Sequence, residues 1–283
     1  MNQVQIMQQE KNMRAISFNK QHAWVATLLG LVMMVSAPAW ANAASAEQRG
    51  LEIATEADQR DIGFVDYRVK LEMTLRNKHK QHTSRSMRNT TREQANDGDK
   101  TLIVFDNPRD VKGTAFLSHT HKLSADDQWL YLPALKRVKR ISSSNKSGPF
   151  MGSEFAYEDI ASQELEKYTY RYTGDAKDDK RDYFIVERTP TDPKSGYARQ
   201  IVWFDKSEYR VWKIDFYDRK NELLKTLTYQ GYKQYLKKYW RAKQMDMINH
   251  QTGKSTTLTF TGYKFAIGTS DMDFTPNRLK NAR

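Results

Sequence analysis

The chain has 283 residues, and its 46 lysines and arginines outnumber its 34 aspartates and glutamates, which gives a formal net charge of +12 at pH 7. It contains no cysteine. Disulfides, zinc–thiolate sites, catalytic thiols and a lipid-modified N-terminal cysteine are therefore excluded, and the core alone must stabilise the fold.

The N-terminus has the layout of an export signal. Basic residues precede a short apolar run, residues 23–35, and small residues spaced as Ala-x-Ala follow at residues 39–43. The alternative, an uncleaved membrane anchor, needs roughly 20 apolar residues, which this run does not supply. We therefore predict a cleaved signal peptide, residues 1–43, and one mature domain, residues 44–283, in the periplasm.

Hydrophobic periodicity predicts one helix followed by about a dozen strands. Residues 42–61 carry apolar side chains at helical spacing, whereas residues 65–75 alternate between apolar and polar side chains. Residues 82–92 are polar and indicate an edge strand. Short apolar or aromatic runs separated by turn residues fill the rest, and only residues 153–167 have further helical character.

These elements predict a mainly β (α+β) fold with a highly curved antiparallel sheet. A flat sheet of so many strands is unusual because strand twist makes long sheets curl or split. The sheet would form an incomplete β-barrel that is closed by the helices. A two-sheet sandwich is the alternative.

One stretch, residues 129–160, combines several kinds of chemistry. An apolar strand ends at Pro133, a basic strand follows over residues 136–141, and a small, polar loop leads to an aromatic and acidic tail. A basic strand is most often a solvated face. Among functional interpretations, an exported protein rarely meets nucleic acid, and no RNA-binding signature is present. An anionic membrane surface, a lipid headgroup or an acidic partner is therefore favoured over nucleic acid.

Two enzyme hypotheses compete with structural roles for the same residues. His119 and His121 have strand spacing and could bind a metal with Asp126, Asp127 or Glu158, but no four-ligand set is found at local spacing. The chain has no G-x-S-x-G, H-E-x-x-H, P-loop or G-x-G-x-x-G motif. We therefore predict no catalytic residue, no metal and no cofactor.

A second enzyme hypothesis uses carboxylates alone. Glu154, Glu158 and Asp159 could act as general acid and base in a glycosidase-like cleft. They would equally suit a lid whose carboxylates pair with the basic strand, and nothing else in the chain completes an acid–base site. The many aromatic residues, which make up 12% of the chain, also leave room for an apolar cavity between sheet and helix.

The same stretch resembles a known family. Residues 129–141 (WLYLPALKRVKRI) and 150–159 (FMGSEFAYED) are similar to the LolA-like outer membrane lipoprotein-sorting proteins, with support from residues 105–114 and 273–280. The resemblance covers nearly all of the mature chain. It implies a periplasmic, incomplete antiparallel β-barrel over an apolar cavity that holds acyl chains. Genes of this branch often lie beside RND-type (MMPL) exporters, which implies an inner-membrane exporter and an outer-membrane acceptor as partners.

We predict a monomeric, non-enzymatic periplasmic carrier that shuttles lipoproteins or other lipids toward the outer membrane. The alternatives are an accessory subunit of an RND-type exporter that carries no cargo and, less favoured, a hydrolase. The candidate residues are Trp129, Tyr131, Leu132, Leu135, Phe150 and Phe155 for the apolar wall or mouth, Lys136, Arg137, Lys139 and Arg140 for headgroups or a partner, and Gly148, Pro149 and Gly152 for the hinge of a lid.

Overall fold

The computed structural model describes residues 39–282, without the side chains of residues 39–44 and Ser143. Apart from residues 39–43, the predicted signal peptide lies outside the described residues. Within them, no helix is long and apolar enough to cross a membrane.

The order of elements follows the predicted pattern closely. The chain begins with helix α1 (Ala39–Asp61), and a single-turn helix α2 (Tyr157–Ile160) follows β6. The strands are β1 (Asp66–Arg76), β2 (His82–Arg92), β3 (Lys100–Asn107), β4 (Ala115–His119), β5 (Asp127–Leu132), β6 (Arg137–Ile141), β7 (Tyr168–Lys177), β8 (Asp182–Pro190), β9 (Tyr197–Asp205), β10 (Val211–Asp218), β11 (Leu223–Gln230), β12 (Lys233–Tyr235), β13 (Tyr239–Arg241), β14 (Gln244–Asn249) and β15 (Ser255–Phe265).

Thirteen of these strands form one antiparallel, curved sheet that does not close into a barrel. Its order is β6-β5-β4-β3-β2-β1-β15-β14-β11-β10-β9-β8-β7, while β12 and β13 form a separate hairpin. The two edge strands are β6 and β7, which follow each other in the sequence. The predicted mainly β fold with an incomplete barrel is confirmed.

The prediction that residues 82–92 form an edge strand is wrong. β2 pairs along its length with β1 and also with β3, so it lies inside the sheet. Its polar residues reflect a sheet with one wet face, and Met87 on the other face is fully buried. The polar residues of β2 therefore indicate that one face of the strand is exposed, and they do not indicate that the strand lies at an edge of the sheet.

The two faces of the sheet carry separate hydrophobic clusters. On the face that we call inner, Ile53 of α1 and the rings of Phe150 and Phe155 pack with residues from most strands. On the outer face, Phe274 and Leu279 near the C-terminus cover strands β3 to β6. Both faces are apolar there because alternate residues of a strand point to opposite sides.

Helix α1 lies close to strand β7. A Cβ atom at Gly50 would stand 2.6 Å from the backbone nitrogen of Tyr172 and 2.8 Å from the backbone of Arg171. Only glycine permits this approach, because any side chain at this position would collide with backbone atoms that cannot yield. Further along the helix, Ile53 and Ala54 reach the inner cluster, so α1 covers one end of the inner face.

Candidate functional site

Residues 148–160, which we call the crossing segment, run across the inner face after β6. Phe150 is 0% and Phe155 2% exposed, and the ring of Phe150 lies 5.2 Å from that of Phe116. The Phe150 N–H donates to the carbonyl oxygen of Phe155 at 2.7 Å, which folds the segment back on itself. Both phenylalanines thus lie on the inner face, where they fill the core beneath the crossing segment.

A row of polar side chains on three strands holds the crossing segment. The ammonium of Lys225 on β11 donates to the Glu154 carbonyl oxygen at 2.9 Å and to Asp159 Oδ2 at 2.7 Å. Asn249 on β14 donates to Glu154 Oε2 at 2.7 Å, and Thr256 Oγ1 on β15 accepts from the Glu154 N–H. The side chains of Lys225 and Asp159 are only 5% and 6% exposed, so their ion pair is buried.

The acidic residues of the crossing segment have separate partners. Asp159 also accepts from the Tyr197 hydroxyl at 2.8 Å, and burial together with the charges of Asp159 and Glu158 raises the pKa of Tyr197. Glu158 accepts from Ser195 Oγ at 2.8 Å and from the Gly196 N–H at 2.9 Å. Burial raises the pKa of Glu158. These carboxylates therefore tie the segment to the sheet and the β8–β9 loop.

His119 and His121, the two histidines at strand spacing, have different hydrogen-bond partners. His119 Nε2 lies 2.7 Å from the carbonyl oxygen of Phe274, whereas His121 Nδ1 lies 2.6 Å from Asp97 Oδ2. Although burial opposes the shift, the hydrogen bond from His121 helps to lower the pKa of Asp97 to about 2. Within the part of the chain that the structure describes, no group of three or more potential ligands could hold a metal ion.

The residues predicted for an apolar wall do not share one surface. Trp129 and Tyr131 pack with the outer cluster beneath the C-terminal segment, whereas Leu132 packs with the inner cluster together with Phe150 and Phe155. Leu135 is 63% exposed. Strand alternation separates Trp129 and Tyr131 from Leu132, because neighbouring residues of β5 point to opposite faces.

The basic strand is divided between the two faces in the same way. Arg137 and Lys139 stand opposite inner-face residues of β5, whereas Arg140 stands opposite Trp129 of the outer face and forms an ion pair with Asp127. Lys136 precedes the strand in a left-handed conformation with φ 50°. All four side chains are exposed along an edge strand whose second edge has no partner strand in the described residues.

The predicted hinge positions lie at the turns of the crossing segment. The Gly148 carbonyl oxygen accepts from the Tyr157 N–H at 3.1 Å, and Pro149 forms a bridge with Ala156. Gly152 has φ +77°, a left-handed conformation that glycine adopts without strain, and no atom lies within 4 Å of the position of a Cβ. Backbone bonds thus fix the base of this loop, and its tip is sterically open.

The inner face also contains a cavity that the sequence patterns did not locate. It has a volume of about 310 Å³ and lies between the C-terminal half of α1, strands from the middle of the sheet and the β12–β13 hairpin. Pockets for small molecules typically measure roughly 300 to 1,000 Å³. We call it the aromatic cavity, because its walls include Tyr67, Tyr229, Tyr232, Trp240, Phe260 and Tyr263.

A second cavity of about 340 Å³ adjoins the first beneath the same helix. The two share Ala57, Asp61 and Val211 as lining residues. The second is more acidic: burial and the neighbouring charge of Glu164 raise the pKa of Asp99 to about 7. In the aromatic cavity, burial raises the pKa of Tyr229 to about 12.

Strand alternation could have indicated the cavity in part. Phe260 belongs to an aromatic set that is visible in the sequence, but Tyr67, Tyr229 and Trp240 come from segments up to 173 residues apart. No local pattern shows that these side chains converge. The order of strands in the sheet, together with the placement of α1, brings them together.

Comparison with solved structures identifies the family. The crystal structure of an outer membrane lipoprotein-sorting protein domain from Vibrio parahaemolyticus is 57% identical, with a TM-score of 0.81, and the match covers 83% of this chain and 99% of that one. A DUF1329 family protein from Desulfovibrio piger is 30% identical, with a TM-score of 0.78 and the same coverage. The chain belongs to the LolA-like outer membrane lipoprotein-sorting protein family.

Further comparisons agree on the fold of this LolA-like family. A LolA superfamily protein from Nitrosomonas europaea matches with a TM-score of 0.66 at 21% identity, over 80% of this chain and 97% of that one, and so shares the fold. A family profile described as "-like: Uncharacterized protein" matches residues 97–281. A search of curated proteins finds no match. The predicted family resemblance is thus confirmed.

Proposed function

We propose that this protein is a periplasmic carrier that holds acyl chains of a lipoprotein or another lipid and shuttles them toward the outer membrane. The observation that carries the proposal is the aromatic cavity between α1 and the inner face of the sheet. A concave, mostly apolar site with a few polar groups is the usual form of a small-molecule site. Support also comes from the relative at 57% identity, which is described as a lipoprotein-sorting domain.

Loading would require α1 to move away from the cavity, and the contacts at its rim suit this role. Arg60 bonds Glu208 across the mouth at 3.1 Å, with both side chains about 40% exposed. Exposed ion pairs contribute only about 0 to 1 kcal/mol to stability. The helix contributes small side chains, Ala54 and Ala57, to the cavity walls, although lifting it would also withdraw the buried Ile53 from the inner cluster.

The crossing segment would act as a second, more firmly held cover. Gly148, Pro149 and Gly152 are its proposed hinge positions, and withdrawal of the segment would expose the inner face to cargo. Leu132, Phe150 and Phe155 would then belong to the wall of an enlarged cavity. Trp129, Tyr131 and Leu135 would act on the outer side and not at the mouth, and the exposed charges of β6 would meet headgroups or a partner. We propose no catalytic activity for any of these residues.

The test is the lipid content of the protein from its native periplasm, measured by mass spectrometry after mild purification. We expect bound alkyl chains in the wild type. Ala57→Trp should reduce lipid occupancy at least tenfold because the indole fills space that both cavities share. Gln59→Trp is the matched control, since Gln59 is exposed on the same helix. A wild type that is repeatedly empty, or equal occupancy in both variants, would contradict the carrier proposal.

An accessory subunit of an RND-type exporter is the second candidate. The observation in its favour is the exposed, positively charged edge strand β6, because an unpaired strand edge can dock against another protein. An accessory subunit would bind the exporter equally well with an empty cavity. Measuring cargo transfer with the wild type and with Ala57→Trp therefore separates the candidates: the variant should lose transfer if the protein is a carrier and keep it if the protein is an accessory subunit.

A further inference from the structure

The turn of the β12–β13 hairpin exposes a leucine. The hairpin is separate from the thirteen-stranded sheet, and the ring of Tyr235 holds it there by packing 5.1 Å from the ring of Tyr263 on β15. Leu236 and Lys237 follow as the two central residues of the turn, which the Lys238 N–H closes by donating to the Tyr235 carbonyl oxygen at 3.0 Å. Leu236 is 65% exposed and so adds little to the core.

The residues of this turn do not suit its backbone conformation. Leu236 has φ 49° and Lys237 has φ 58°, so both are left-handed. A two-residue hairpin turn with two positive φ angles favours Asn-Gly, because a bulky side chain is unfavourable in this conformation. Leu236 therefore stabilises neither the turn nor the core. An exposed residue that breaks a local rule in this way indicates a role outside the fold.

The loop between α1 and β1 lies beside the hairpin and also exposes apolar side chains. Ile62 and Val65 are both exposed, and Val65 has φ 66°, which is rare for a β-branched residue. The Lys238 ammonium donates to the Ile62 carbonyl oxygen and so joins the hairpin to this loop. We call Ile62, Val65 and Leu236 the tip patch. Single exposed apolar residues are normal, whereas three on two bonded segments indicate an interaction surface.

The segments that carry the tip patch have an excess of positive charge. Residues 231–243 contain no carboxylate and five cationic side chains, namely Lys233, Lys237, Lys238, Arg241 and Lys243. Two carboxylates bond to these segments: Asp61 pairs with Arg241, and Glu93 accepts from the N–H groups of Gly63 and Val65. Among the residues that the structure describes, only Arg241 of the five cations has an ion pair. The excess of cations therefore remains after their partners are counted.

We propose that the tip of the β12–β13 hairpin docks on an anionic lipid bilayer, with the tip patch in the interface and the lysines against lipid headgroups. Apolar side chains that enter the interface, together with lysines that face anionic lipid, are the usual means by which a protein binds a membrane surface. The same hairpin supplies Tyr232, Trp240 and Arg241 to the wall of the aromatic cavity. Docking therefore places one wall of the cavity next to the bilayer. The inference goes beyond the proposed carrier function, because docking needs no cargo.

A dye at the tip tests the contact directly. Because the chain contains no cysteine, a single introduced thiol carries the dye at one chosen position. Leu236→Cys labelled with nitrobenzoxadiazole is mixed with vesicles of phosphatidylethanolamine that contain about 30% phosphatidylglycerol. The emission should shift to shorter wavelength and rise at least about twofold as the dye leaves water. Vesicles of phosphatidylcholine alone should leave the emission unchanged.

The matched control for the dye is Leu123→Cys on the β4–β5 loop. Leu123 is 92% exposed and also has a lysine beside it, Lys122, but it lies outside both segments of the tip patch. Its dye should show no change with either kind of vesicle. An equal response at both positions would mean that the protein lies on the vesicles without a preferred surface, and it would overturn the inference.

Substitutions at the tip assign the docking to these residues. Leu236→Asp should weaken binding to the anionic vesicles at least about tenfold, as expected when one leucine no longer leaves water, whereas Leu123→Asp should bind as the wild type does. Replacing Leu236 with Asn and Lys237 with Gly gives the turn its favoured residues. Stability in urea should then be kept or rise while vesicle binding falls. A loss of stability in this double variant would show that the leucine serves the fold and would overturn the inference.

Two results with the wild-type surface also overturn the inference. Vesicle binding without a response of the dye at position 236 would assign the membrane contact to another surface, such as β6. Absence of binding to the anionic vesicles would leave the tip patch to a protein partner. Neither result changes the lipid content of the protein, so the carrier function would stand. Conversely, docking by a protein that is repeatedly empty would support the tip contact and contradict the carrier function.

Discussion

The two ends of the inner face are covered in opposite ways. At one end the crossing segment inserts Phe150 and Phe155 into the core, where both rings are buried. At the other end α1 presents Ala54 and Ala57, and two adjoining cavities remain beneath it. The same sheet lies under both covers. The open space beneath each cover therefore depends on the size of the side chains that the cover places against the sheet.

The two covers also differ in how they are held. The crossing segment is anchored by the buried ion pair between Lys225 and Asp159, whereas the end of α1 is held by Arg60 with Glu208 and by Arg241 with Asp61, and the carboxylate of each of these two pairs is exposed. Breaking a buried pair is costly because the remaining charge stays desolvated, and an exposed pair contributes little. We therefore expect α1 to open more readily than the crossing segment.

The largest expected effect comes from Lys225→Met. Loss of the ammonium leaves Asp159 buried without its cation, and the free energy of unfolding should fall by about 3 kcal/mol. This is the lower end of the usual range, because Tyr197 and the Ala156 N–H still donate to Asp159. Urea denaturation measures the change, and adding Asp159→Asn should restore most of the loss.

The matched control for Lys225 is Lys213→Met on β10. Lys213 forms an ion pair of the same 2.7 Å length with Asp215, but its side chain is 24% exposed. This variant should cost less than about 1 kcal/mol. If the two lysine variants lose the same stability, the crossing segment is not held by a buried charge and the contrast between the two covers fails.

An intermediate effect is expected at the helix end, from the titration of Asp99. Its pKa is raised from 3.8 to about 7, so between these values the folded state keeps a proton that the unfolded chain has released. Stability from this group is present at low pH and is lost as pH rises through 7. Between pH 5 and 7.5 the wild type should lose about 2 kcal/mol relative to Asp99→Asn.

The Asp99 prediction is measured by urea denaturation at a series of pH values. In the Asp99→Asn variant the amide oxygen can still accept the hydrogen bond from Ser162, so the substitution changes charge with little change in shape. Asp179→Asn, in an exposed turn, should leave the pH dependence as in the wild type. A wild type and an Asp99→Asn variant with parallel pH profiles would mean that the helix end does not bury this carboxyl group.

The smallest effect on stability is expected outside both covers, on β6. Replacing Arg137 and Lys139 with glutamate should change the free energy of unfolding by less than about 0.5 kcal/mol, because both side chains are exposed. Binding to vesicles that contain anionic lipid should weaken at least tenfold if these charges meet headgroups. The same reversal at two exposed turn residues, Lys180 and Lys220, is the control. Equal weakening by both pairs would indicate net charge alone.

Much of the fold could be predicted because strands leave a strong local signal. The alternation over residues 65–75 corresponds to β1, and helix α1 ends at Asp61 as predicted. The helical character expected over residues 153–167 is realised only as the single turn Tyr157–Ile160 and a 3-10 turn at Leu165–Lys167. There, buried contacts of Phe155 and Asp159 with the sheet outweigh weak helical propensity.

The candidate site was less predictable than the fold. The window of residues 129–160 combined apolar and charged groups along the chain, but strand alternation sends Trp129 and Leu132 to opposite faces. The aromatic cavity instead draws on Tyr67, Tyr229 and Trp240 from distant segments. Its volume has no signature in local sequence.

The sequence by itself determined the exclusion of cysteine chemistry, most of the strands, the long first helix and the family. These properties depend on composition and short-range periodicity, which need no knowledge of distant contacts. Only the tertiary structure decided which strand face is covered, by which segment, and where space remains. Apolar residues at every second position show that side chains alternate between the two faces of a strand. Which face becomes the inner one depends on where α1 and the crossing segment pack, and this packing depends on contacts between residues far apart in the chain.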